Sequence, residues 1–229
     1  MPAFKPLPSM ALLLALCLTL TSAGAAQWSG GLEGGTVMRD GESSTRIRAR
    51  ASLDSRPLSH DLHAEWYRRD TSSIELGYKP RYWLSEKLYT FGEGRLRFEE
   101  DLGIDRETQL LGGLGYQLLA TREQQLLLEA GAGYRLTSFT EETLLEDAEE
   151  GVGVVRAAGS QILSDLIKLD LLADVFSSAR YIQSQAELGV SLRVPQGAIR
   201  LSYRIRRVDI DELDAVEDSD TAVSFTVGF

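Results

Sequence analysis

The chain has 229 residues, 43% of them hydrophobic, and 24 basic against 34 acidic side chains give it a net charge of −10. That acidity excludes a nucleic-acid binder, which needs a basic face to displace counterions from phosphates. The apolar content and only six prolines exclude a collagen-like or disordered chain.

Residues 1–26 read as a cleaved signal peptide. Lys5 precedes the apolar run Met10–Leu20, and Ser22-Ala-Gly-Ala-Ala26 supplies the small residues of a cleavage site. The run is too short for a transmembrane helix, which takes roughly 20 apolar residues. The one cysteine, Cys17, lies inside this leader behind Leu16, so neither a lipid anchor nor a disulfide is expected. Residues 27–229 then form a single domain.

From residue 27 onward the recurrent pattern is period-two alternation, the mark of a strand with unlike faces. In chain order the segments fall at roughly 28–39, 44–53, 60–69, 73–82, 87–98, 107–118, 124–136, 151–162, 166–176, 181–194, 198–208 and 220–229. The second is the clearest: Ile47, Ala49, Ala51 and Leu53 oppose Arg46, Arg48, Arg50 and Ser52. The eleventh repeats it, with Ile199, Leu201, Tyr203 and Ile205 against Arg200, Ser202, Arg204 and Arg206. The first, fifth and eighth are weaker, being rich in glycine or interrupted. Residues 161–176 fit period two better than a helix.

These segments run about 10–14 residues, whereas strands of soluble sheets average about 5–6. A tilted strand needs roughly 10 residues to cross the apolar band of an outer membrane, and a sheet edge in lipid must close. The fold expected is therefore all-β: a single transmembrane, antiparallel, up-and-down barrel of about 12 strands with both termini periplasmic. The connections support that count. The longest, near 99–106, 137–150 and 209–219, all fall on the side opposite the termini, where long outer loops belong. The final segment ends Val223-Ser-Phe-Thr-Val-Gly-Phe229, and its terminal aromatic, Phe229, resembles the signal read by the outer-membrane barrel assembly machinery.

Several phrases resemble the family of salt-induced outer-membrane proteins. They are Trp28-Ser-Gly-Gly, Leu88-Tyr-Thr-Phe91, Gly103-Ile-Asp-Arg106, Leu111-Gly-Gly-Leu-Gly-Tyr116, Leu128-Glu-Ala-Gly-Ala-Gly-Tyr134 and Arg200-Leu-Ser-Tyr203. The resemblance implies a Gram-negative outer-membrane barrel and a link to salt or osmotic response. It brings no activity and no functional residues.

On the inward faces, Arg46, Arg48 and Arg50 lie near Arg200, Arg204 and Arg206 once the barrel closes. The segments between them present small residues (Ala222, Ser224, Gly228, Ser29, Gly31), so one basic wall is expected. Glu93, Glu129, Asp170 and Asp174 form its acidic counterpart. Such charges either line a narrow pore or pair across the interior and plug it. In the outer loops Glu146, Asp147, Glu149 and Glu150, with Asp209, Asp211, Glu212 and Asp214, are candidate cation ligands; simple solvation is the alternative. The only histidines, His60 and His63, start the third segment, away from the outer mouth, so no catalytic set, cofactor or dedicated metal centre is expected. The function expected is a porin-like or envelope-supporting barrel with a small charged lumen. The alternative is a closed structural barrel whose acidic loops bind cations, lipopolysaccharide or a protein. Expected partners are outer-membrane lipid, lipopolysaccharide, the assembly machinery and periplasmic chaperones.

Overall fold

The computed structural model describes residues 27–39, 42–68, 71–99, 104–140, 147–179, 181–210 and 216–228. Twelve strands follow one another: β1 (Gln27–Arg39), β2 (Glu42–Ser55), β3 (Leu58–Arg68), β4 (Ser72–Trp83), β5 (Leu88–Glu99) and β6 (Ile104–Ala120), then β7 (Gln124–Phe139), β8 (Ala148–Ile162), β9 (Ile167–Ser178), β10 (Tyr181–Val194), β11 (Gly197–Ile210) and β12 (Val216–Gly228). Each pairs antiparallel with its neighbour in sequence. The sheet closes where β1 pairs with β12, from Gly31 opposite Gly228 to Met38 opposite Thr221. Closure leaves no free edge, the condition for a sheet to stand in hydrocarbon. The shortest strand, β3, has 11 residues, enough to cross an outer membrane at the usual tilt.

Period-two alternation decides which face meets what. Leu32, Leu114, Leu171, Leu188, Leu201 and Val223 stand on the outer wall and are about half exposed, while Arg46, Arg48, Glu93, Glu129, Asp174 and Glu187 are buried inside. This is the reverse of a soluble protein, and a greasy outer wall of this extent is what a bilayer requires. A charge placed mid-wall is therefore costly. Leu188→Arg is expected to lose about 2–4 kcal/mol in urea-dependent folding into lipid vesicles; Glu187→Gln on the inner face would not expose a charge to lipid.

Every expected segment forms a strand, but most are longer than the alternation indicates, and the loops are correspondingly shorter. Both ends of the stretch assigned to a loop at 137–150 belong to strands, because β7 runs on to Phe139 and β8 starts at Ala148. Likewise, of the stretch assigned to 209–219, residues 209–210 belong to β11 and 216–219 to β12. Charged residues such as Glu149 and Asp209 mask the strand pattern there, yet cross-strand pairs such as Arg135 with Glu150 hold the ladder together.

Inside, one sector of the barrel is filled with apolar side chains. Leu111 of β6, Val152 and Val154 of β8 and Phe176 of β9 form a buried cluster, and Tyr89 and Phe91 of β5 are buried as well. The glycines of β6 and β7 make room for the two rings. A Cβ at Gly115 would sit 2.2 Å from the Tyr89 ring. The rings thus cover bare backbone, and the phrases Leu88–Phe91 and Leu111–Tyr116 prove to be two halves of one packing arrangement.

Candidate functional site

Beside this apolar cluster the interior keeps a cavity of about 910 Å³, whose described lining comes from every strand but β6. Its lining runs from Ser52, Lys168 and Thr226 near the short turns to Arg39, Tyr67 and Glu99 near the opposite rim. Among the described residues the wall carries thirteen Arg or Lys and eleven Asp or Glu side chains. Arg46, Arg48, Arg50, Arg200, Arg204 and Arg206 all stand on it, as do Glu93, Glu129, Asp170 and Asp174.

The charges do not segregate into the basic and acidic walls expected from sequence. Glu33 of β1 and Glu187 of β10 are buried among the arginines. Glu33 lies 3.6 Å from Arg46 and 3.9 Å from Arg48 and accepts a hydrogen bond from Ser224 Oγ at 2.7 Å. Arg48 Nε also donates to Glu65 at 2.6 Å. Glu187 accepts from Arg200 and Arg204, each at 3.0 Å, while Arg200 also reaches Asp170 at 2.8 Å. Arg39 and Arg206 meet Asp218 of β12, and Arg39 meets Asp220 as well, so that strand is not uniformly small inside. Opposite charges on adjacent strands pair because a partly dry interior penalises like charges left side by side.

The acidic pair Glu93 and Glu129 is likewise enclosed by cations. Arg156 Nη1 donates to Glu93 at 2.9 Å and to Glu129 at 3.2 Å, and Arg95 donates to Glu93 at 2.9 Å. Lys79 pairs with Glu129, whose other oxygen accepts the Tyr89 hydroxyl at 2.8 Å. Lys79 Nζ also sits 4.5 Å above the Phe91 ring. These contacts tie β4 and β5 to β7 and β8 across the corner of the lumen. Asp174 stands apart: buried, it takes a hydrogen bond from Gln185 at 3.3 Å, and its Oδ1 has no hydrogen-bond partner among the described residues.

Sequence reasoning does not single out Lys79, Tyr89, Arg95, Arg156, Glu33 or Glu187. Strand parity was the available signal, since all six occupy inward positions. The histidines also differ from expectation. His63 is in the middle of β3, in the lumen, with Nε2 3.2 Å from Glu75; His60 faces outward and stacks on Tyr78.

Of the candidate cation ligands, the four that are described do not come together. Glu146, Asp211, Glu212, Asp214 and the terminal Phe229 lie outside the described residues. Asp147 accepts the Phe139 backbone N–H at 3.1 Å, Glu150 pairs with Arg135, and Asp209 with Arg207 at 2.9 Å. Glu149 is exposed on the outer side of β8. Among the described residues no group of three or more His, Cys, Asp or Glu side chains could hold a metal ion.

A closed twelve-stranded sheet, apolar outside and ionised within, defines an outer-membrane β-barrel of the porin-like class. Solved structures agree on the fold. A NanC porin superposes with a TM-score of 0.61 at 9% identity, covering 86% of this chain and 98% of that one. A KdgM porin gives 0.54 at 8% identity, covering 87% and 99%, and has also been solved in complex with disordered oligogalacturonate. OmpT, an outer-membrane protein of Vibrio cholerae, gives 0.50 at 9% identity, covering 91% and 100%. No curated protein sequence matches the chain. Residues 28–229 match DUF481, described as a protein of unknown function, and the chain belongs to that family.

Proposed function

We propose that this barrel is an outer-membrane porin with a narrow charged channel for small ions and polar solutes, anions slightly ahead of cations. The observation that carries this reading is the cavity lined from one rim to the other, with thirteen positive and eleven negative side chains. In a chain of net charge −10, the described lining of this cavity thus carries a small positive excess. The likeness to porins, one of them solved with an acidic oligosaccharide, supports it. In this reading the termini and short turns face the periplasm after residues 1–26 are cleaved, and no residue is catalytic. Lipid and lipopolysaccharide surround the wall, and chaperones and the assembly machinery deliver it. The salt response implied by the family resemblance would show as a growth defect of a deletion strain at high salt.

Purified, refolded protein in a planar bilayer is expected to give discrete conductance steps and a reversal potential favouring anions. Arg50→Glu is expected to move that potential toward cations, because it replaces an exposed lumen cation with an anion. Arg48 and Arg204 are poorer test positions, since changing either also breaks an ion pair. Folded protein that never conducts would overturn the proposal. It would favour a closed structural barrel, for which the pairs joining Glu93 and Glu129 to Lys79 and Arg156 across the corner of the lumen are the supporting observation.

A further inference from the structure

Twelve of the thirteen basic side chains on the cavity wall have a carboxylate oxygen within 3.6 Å. Arg50 is the exception: among the described residues it has no ion pair and no hydrogen bond. It is also exposed to the cavity, whereas Arg46 and Arg48 on the same strand are buried. Its register neighbours explain this. Opposite it on β1 is Gly31, which has no side chain, and on β3 is His63, which is engaged by Glu75. Arg48 and Arg200 add positive potential at Arg50, offset in part by Glu33 and Glu187.

A guanidinium with five unspent N–H donors is matched by a planar anion that accepts two of them in parallel. Carboxylate has that shape. The local charge selects a monoanion, because Arg48 and Arg200 are already paired with carboxylates and Glu33 and Glu187 would repel a second negative charge such as that of hydrogenphosphate. The cavity is large enough for a sugar-sized solute. We infer that Arg50 is a docking point within the lumen for the carboxylate of a small monoanionic solute such as a sugar acid. The inference deepens the porin reading and rests on it.

The test is calorimetric binding to the refolded barrel in detergent, with glucuronate, glucose and inorganic phosphate as probes. Glucuronate is expected to bind saturably and glucose not at all. Arg50→Gln is expected to weaken glucuronate roughly tenfold, the loss of a charge-assisted pair. Arg50→Lys, which keeps the charge but not the fork, should fall between. Arg207→Gln, on the outer side of β11, should match wild type. Absent glucuronate binding, or equal binding to a folded Arg50→Gln barrel, overturns the inference; phosphate binding more tightly than glucuronate overturns the choice of a monocarboxylate. Conductance separates the two readings. A barrel that conducts but binds no glucuronate loses only the Arg50 site, and one that binds but never conducts loses the porin reading.

Discussion

Glu129→Leu is expected to destabilise the barrel by about 3–5 kcal/mol, the cost of stranding buried charge. Glu129 is almost inaccessible, and its two oxygens serve Lys79, Arg156 and the Tyr89 hydroxyl. Leucine fills the space but leaves the Lys79 ammonium with Glu93 at 3.6 Å as its remaining carboxylate. Urea-dependent folding into lipid vesicles, read by the mobility difference between boiled and unboiled samples, measures the loss. Glu129→Gln retains an acceptor for Tyr89 and should lose less. The double change Lys79→Met with Glu129→Leu should recover part of the deficit, since it removes both members of the pair. An unaltered midpoint for Glu129→Leu would mean that water already solvates this corner and that the network does not hold it.

Gly115→Ala should cost about 1–3 kcal/mol through overpacking alone, although it adds a single carbon. That carbon would lie 2.2 Å from the Tyr89 ring and 2.5 Å from its hydroxyl. Tyr89 is fully buried and packs on Trp83 with ring centroids 4.7 Å apart, so the ring has little room to retreat. Any retreat also weakens its hydrogen bond to Glu129, worth a further 1.5–3 kcal/mol or so for a bond to a charged acceptor. The same folding titration tests this, and a double-mutant cycle identifies the cause. In a Tyr89→Ala background Gly115→Ala should be nearly neutral, because the obstruction is gone. Equal costs in both backgrounds would locate the problem in the strand itself rather than under the ring.

The fold was legible in the sequence because alternation is a local property. Arg46, Arg48 and Arg50 against Ile47, Ala49 and Ala51 fix two faces of a strand without reference to any other residue. Strand length then points to a membrane, and the requirement to close follows from the absence of water in lipid. Strand ends were less legible. Residues Thr137–Phe139 and Ala148–Glu150 continue their strands, yet their polar composition reads as loop.

Parity already tells from the sequence which side chains face inward, except where irregularities near the two ends of β6 reset it. Which inward charges meet was decided only by the closed sheet. Glu33 and Ser224 are 191 positions apart, and Glu93 and Arg156 are 63 apart; register and curvature bring each pair together. The same holds for Arg50. Alternation places it beside Arg48 as an equal, but its neighbours across the ladder are a glycine and an occupied histidine, and only the tertiary structure leaves it without a partner among the described residues, because a strand's local pattern carries no information about what stands opposite it.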